Sequence, residues 1–198
     1  MKKLLLTTLI TAGLGLSAQG AFADDPPAQK GTITINGKIV DTTCTINAGT
    51  PDITVTLATI SKSALPNQGD TAMDTPFEIK LTNCTKTGGG AFATNEKIYA
   101  AFINDPQKVS AEGRLLNKAT DTPASDVTVQ IANNASDNTN VIDISKSATA
   151  QGSKTVAISG SSPTGSATLQ YKARYYAETN SVTAGNVKGQ VDYMIAYE

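Results

Sequence analysis

Phe77-Glu78-Ile79-Lys80-Leu81-Thr82-Asn83-Cys84 is the stretch on which the fold turns. Phe77, Ile79 and Leu81 alternate with Glu78, Lys80 and Thr82, so an extended chain sends the apolar side chains to one face and the polar ones to the other. The run leads directly into Cys84. Working outward, residues 53–57 read Ile-Thr-Val-Thr-Leu with the same period of two. Residues 32–40 read Thr-Ile-Thr-Ile-Asn-Gly-Lys-Ile-Val and place Ile33, Ile35 and Ile39 on one parity. Further strands are expected over 97–103, 127–132, 154–159, 167–177 and 187–197. Between them, Leu65-Pro66-Asn67-Gln68-Gly69-Asp70, Gly88-Gly89-Gly90, the polar stretch 133–140 and the stretch from Gly160 to Gly165 carry the residues that turns require. Helical periodicity is weak. Many short alternating runs separated by turn signals predict an antiparallel β-sandwich, with neither an internal repeat nor a second folded domain.

The N-terminal residues bear on the compartment. Lys2 and Lys3 precede a mostly apolar run from Leu4 to Leu16, and Ala21-Phe22-Ala23 forms a small-residue cleavage pattern, the three-part layout of a secretory signal peptide. Thr7, Thr8 and Thr11 interrupt the run, which is shorter than the roughly 20 residues of a spanning helix. A leader over 1–23 is therefore expected, followed by an extended polar lead from Asp24. Its removal takes 16 basic side chains to 14 against 17 acidic ones, a net charge of −3 that gives no electrostatic reason to bind nucleic acid. Cys44 and Cys84 are the only cysteines, and an even pair in an exported chain predicts a disulfide. Closing a loop of about 41 residues stabilises a fold by at most about 4 kcal/mol on the chain-entropy account.

Several chemistries are argued against. The chain has no His, hence neither the commonest general base nor the usual hydrolase triad. Two cysteines without histidine make a poor metal-ligand set, and neither metal nor cofactor is expected. Gly88-Gly89-Gly90 lacks the Lys-Ser/Thr and helix of a phosphate loop. Tyr175-Tyr176 offers rings that could stack on a sugar, but strand alternation more simply sends one inward and one outward. Asn134 begins an Asn-Ala-Ser sequon, read as a chance match.

Three motifs carry a family resemblance that covers almost the whole chain after residue 23. Gly31-Thr-Ile-Thr-Ile-Asn-Gly-Lys-Ile-Val-Asp-Thr-Thr-Cys44 comes first, then Ile79-Lys-Leu-Thr-Asn-Cys84. The third is Ala173-Arg-Tyr-Tyr-Ala177 followed by Gly185 and the alternating Val191, Tyr193, Ile195 and Tyr197. With Gly185 fourteenth from the C-terminus and Tyr197 penultimate, the chain resembles the pilin subunits of the chaperone–usher pathway of Gram-negative bacteria, of the type 1 and P pilus major-pilin kind.

The resemblance implies an all-β, incomplete immunoglobulin-like β-sandwich lacking its last strand, with an N-terminal donor-strand extension over 24–37 and the sandwich over 38–198. It implies a structural fimbrial subunit, not an enzyme, that polymerises head-to-tail by donor-strand exchange at the cell surface and supports adhesion or biofilm formation. Gly31 would permit close approach to a neighbour's groove, with Ile33 and Ile35 as the plugs. Gly185, Val191, Tyr193, Ile195 and Tyr197 would border the groove and meet the chaperone. The implied partners are neighbouring subunits of a homopolymer, a periplasmic chaperone, an outer-membrane usher and a host or abiotic surface. Two positions depart from the family pattern: Glu198 stands where many relatives end in a neutral residue, and polar Gln29 occupies the donor parity. The alternatives are a minor adaptor subunit and a secreted, monomeric β-sandwich that binds carbohydrate or protein.

Overall fold

The computed structural model describes residues 32–46, 49–134 and 140–198; the expected leader, the lead that follows it and Gly31 lie outside the described residues. The chain divides into two units, Met1–Lys38 and Ile39–Glu198. In the first, residues 32–38 form neither strand nor helix and are exposed throughout. Ile33 and Ile35 leave 88% and 89% of their surfaces open to solvent, unusual for a pair of large apolar side chains.

The second unit is built from strands. In chain order these are β1 (Thr43–Ile46), β2 (Thr71–Thr85), β3 (Gly90–Ala91), β4 (Lys97–Phe102), β5 (Val127–Asn133), β6 (Val156–Ala157), β7 (Ser161–Ser162), β8 (Gly165–Ala177) and β9 (Tyr193–Tyr197). Among the described residues helix is confined to short 3-10 pieces, among them Lys62–Ala64 and Ala148–Ala150. One sheet has the order β1-β2-β8-β5, the other β6-β4-β9, with β3 and β7 paired separately. Every strand pairing in these sheets is antiparallel.

The core sits between the sheets. β2 supplies Ile79, Leu81 and Cys84; β8 supplies Leu169 and Tyr171; β4 supplies Ile98 and Phe102. The Tyr171 ring takes an edge-on contact from Phe102 at 5.4 Å and a tilted one from Phe77 at 5.6 Å. Leu81 and Cys84 are both fully buried although they stand three positions apart, which breaks strict alternation. Asn83 resolves the conflict by adopting φ 51° where the register against β8 shifts between Leu81 and Cys84. Asn tolerates the left-handed region, and the bulge turns Cys84 back to the core. There it forms the disulfide with Cys44, joining β1 to β2.

Four expected strands depart from this picture. Residues 32–40 and 53–57 form no strand, of 154–159 only Val156–Ala157 does, and of 187–197 only Tyr193–Tyr197. Alternation records which side chains face a core; a ladder also needs a partner backbone, and for residues 53–57 none is present among the described residues.

Candidate functional site

The two edges of β4–β9 are treated differently. On one edge of β4, Ile98 pairs with Val156 of β6. Further along, Ala100 N–H donates to the Tyr171 hydroxyl at 3.2 Å. Phe102 N–H then donates to Gln151 Oε1 at 3.0 Å, and Gln151 Nε2–H returns a 2.6 Å bond to Phe102 C=O. Gln151, only 3% exposed, thus does with its amide what a neighbouring strand would do with its backbone. This edge is sealed.

The far edge of β9 is open. Ile103 N–H donates to Asp192 C=O and Glu198 N–H to Lys97 C=O, so the even-numbered residues of this segment turn their amides toward β4. Backbone groups alternate along an antiparallel strand, which turns the amides of Tyr193, Ile195 and Tyr197 the other way, where no strand lies beside them among the described residues. Unpaired amides of this kind form a template for strand addition.

Across from this edge runs the segment from β1 to Ile60. Tyr197 accepts a hydrogen bond from Cys44 N–H at 3.1 Å, Tyr193 donates one of 2.6 Å to Pro51 C=O, and Ile60 and Val187 pack against the same small cluster. These contacts place residues 44–46 and 49–60 antiparallel to 187–197. Ile53, Val55 and Leu57 pack against the core from one side, and Val191, Tyr193, Ile195 and Tyr197 from the other. Yet Asp52–Leu57 make no backbone hydrogen bond among the described residues. Paired strands lie ~4.8 Å apart, and here whole tyrosine side chains are needed to reach across. The result is a lane with apolar walls and, on both sides, backbone amides without a partner among the described residues.

Val191, Tyr193, Ile195 and Tyr197 therefore come together on one face of one segment. Gly185 lies apart from them: a Cβ there would come within 2.6 Å of Thr122 O and Pro123 C, at a crossing where Asn186 N–H bonds Thr122 C=O. Gly31 lies outside the described residues. The opposite wall, Ile53, Val55 and Leu57, was visible as an alternating run, but nothing local in the sequence says that its backbone lacks a partner. Burial pushes the Tyr193 and Tyr197 hydroxyls above their ordinary pKa; Asp52 adds to this at Tyr193, while the Cys44 N–H offsets it at Tyr197. Both hydroxyls stay protonated at neutral pH.

Sandwich and open edge together define the class: an immunoglobulin-like β-sandwich left incomplete at one sheet edge. A solved subunit chain from a chaperone–usher pilus has this fold, with a TM-score of 0.52 at 19% identity over 89% of this chain and all of that one. The family model of type-1 fimbrial protein, A matches residues 57–198. The F17 fimbrial protein of Escherichia coli is 36% identical over 171 residues, 86% of this chain and 89% of that protein. A major fimbrial subunit of Haemophilus influenzae is 32% identical across the whole of both chains. The chain belongs to the type-1 fimbrial protein A family, and is thereby a structural subunit of a bacterial surface fimbria.

Proposed function

We propose that the lane receives a strand from a neighbouring copy of this chain, contributed by its residues 24–37, so that subunits join head-to-tail into a fibre. The observation that carries this reading is the pairing of two complementary defects. β9 has an open edge beside an apolar lane, and Ile33 and Ile35 stand exposed with no core of their own. Donor-strand addition satisfies both, by extending a sheet through backbone bonds while alternate side chains fill pockets. Each buried isoleucine contributes about 1.5–3 kcal/mol and each backbone bond about 1 kcal/mol net, before the cost of association. Register follows from parity, because a one-residue slip presents Thr32 and Thr34 in place of Ile33 and Ile35.

The same reading assigns further partners. A periplasmic chaperone occupies the lane before assembly and lies along Val191, Tyr193, Ile195 and Tyr197; an outer-membrane usher then passes subunits outward. Gly31 lets the donor approach closely, and the exported chain begins at residue 24. The subunit has no enzymatic activity and acts as a fibre element in attachment to host or abiotic surfaces. Family membership favours this reading over a monomeric binding module.

Deleting residues 24–37 should leave a folded, oxidised subunit that no longer forms fibres visible by electron microscopy. Appending a copy of 24–37 through a flexible linker after Glu198 should give a monomer with a higher melting temperature. Fibres from the deleted chain would refute donor-strand exchange.

A further inference from the structure

The hydroxyls of Tyr193 and Tyr197 occupy positions that belong to the incoming strand. Cys44 N–H lies on β1, which has β2 on one side only, and it bonds the Tyr197 hydroxyl. Pro51 C=O stands at the start of a segment with no ladder, and it bonds the Tyr193 hydroxyl. Both tyrosines reach from the facing edge, so two side chains bridge the empty lane and satisfy backbone groups that a strand laid between the walls would claim. Cys44 is half-buried, and an amide so placed is costly to leave without a partner; Pro51 is exposed, so the Tyr193 bond competes with water and the Tyr197 bond is the stronger of the two. The ring bodies meanwhile pack against the core and need not leave when the hydroxyls let go.

The geometry points to Tyr193 and Tyr197 as placeholder latches: they hold the lane's two walls in register while it is empty, and they surrender Cys44 N–H and Pro51 C=O to the arriving strand. This rests on the donor-strand reading and adds a claim about its kinetics. Each latch bond must open before the arriving strand claims its backbone partner, so the latches keep the empty lane in register and set part of the barrier to filling it. Tyr193 and Tyr197 are positioning residues on this account, distinct in role from Ile195, which lies on the same edge and has no hydroxyl to offer.

The test uses the full exported chain, oxidised and monomeric, with Tyr197→Phe and Tyr193→Phe as separate variants that keep each ring. The probe is a fluorescently labelled peptide of residues 24–37, whose uptake is followed by anisotropy. Loss of one latch bond should speed uptake by about three- to tenfold. It should lower the melting temperature of the empty subunit and leave that of the peptide-filled subunit unchanged. Replacing Ile195 by Val is the control: a packing change should lower the stability of empty and filled states together without speeding uptake. Wild-type uptake rates in both tyrosine variants, or equal destabilisation of empty and filled states, would overturn the latch. Failure of the wild-type subunit to take up the peptide at all would instead refute the donor-strand reading, so the two failures are distinguishable.

Discussion

A Cβ at Gly185 would meet Thr122 O and Pro123 C at 2.6 Å, and both are backbone atoms held by the bonds between Asn186 and residues 122 and 124. Side chains can rotate away from an intruder; a pinned backbone cannot. Gly185→Ala should therefore lower stability by about 2–3 kcal/mol, read as a shifted midpoint in urea unfolding. The family resemblance singled this glycine out, but its physical cause was hidden in the sequence, because the crowding comes from a segment some sixty positions away. Thr82 is the reverse case. Its Oγ1 is the only buried side-chain polar atom without a hydrogen-bond partner among the described residues. Alternation read Thr82 as an outward-facing polar position, and the bulge at Asn83 is what complicates its surroundings. Thr82→Val keeps the shape, removes the orphan hydroxyl and should raise stability by about 1 kcal/mol, visible as a higher melting temperature.

Among the elements, β4 and β8 were plain in the sequence because their apolar runs have both a core to face and a partner to pair with. β2 was half legible. Phe77–Leu81 is its regular part, whereas residues 71–76 pair with β8 on either side of a bulge between Ala72 and Thr75, where Met73 takes φ 59°, a conformation that no pattern announces for a methionine. The segment 53–57 was misread as a strand for a different reason. Its side chains obey the rule, but hydrogen-bond partners are set by tertiary neighbours, which local pattern does not encode. The seal on β4 was wholly invisible: Gln151 lies some fifty residues from Phe102, in a stretch with no strand character. Gln151→Leu should cost about 2–4 kcal/mol, because Phe102 N–H and C=O each lose a partner while staying buried. Amide hydrogen exchange checks this directly: protection at Phe102 should fall, while Ala100, bonded to Tyr171, keeps its own.

Across Ile39–Glu198, long-range links join segments far apart in sequence. The disulfide spans 40 positions, and replacing Cys44 and Cys84 together with Ser should cost up to about 4 kcal/mol, measured by unfolding under oxidising conditions. The cysteine pair was readable from number and compartment alone. The ion cluster was not, since Arg114 grips Glu178 through two bonds of 2.7 and 2.8 Å, Thr128 adds a third at 2.6 Å, and no two of these residues are neighbours in sequence. Burial would raise the Glu178 pKa, but the Arg114 and Thr128 bonds outweigh it and hold the carboxyl below its ordinary 4.5. A depressed folded-state pKa gives stability that is present above the unfolded value and lost as pH falls through the folded one. Acid should therefore weaken the subunit progressively below about pH 4.5, and Glu178→Gln should flatten that part of the stability–pH curve in thermal melts. The seal on β4 finally has a consequence for architecture. If subunits join as proposed, each offers one socket and one plug, a valence of two, so concentration can change how long such assemblies grow but cannot make them branch, and Gln151 is among the residues that keep the count from reaching three.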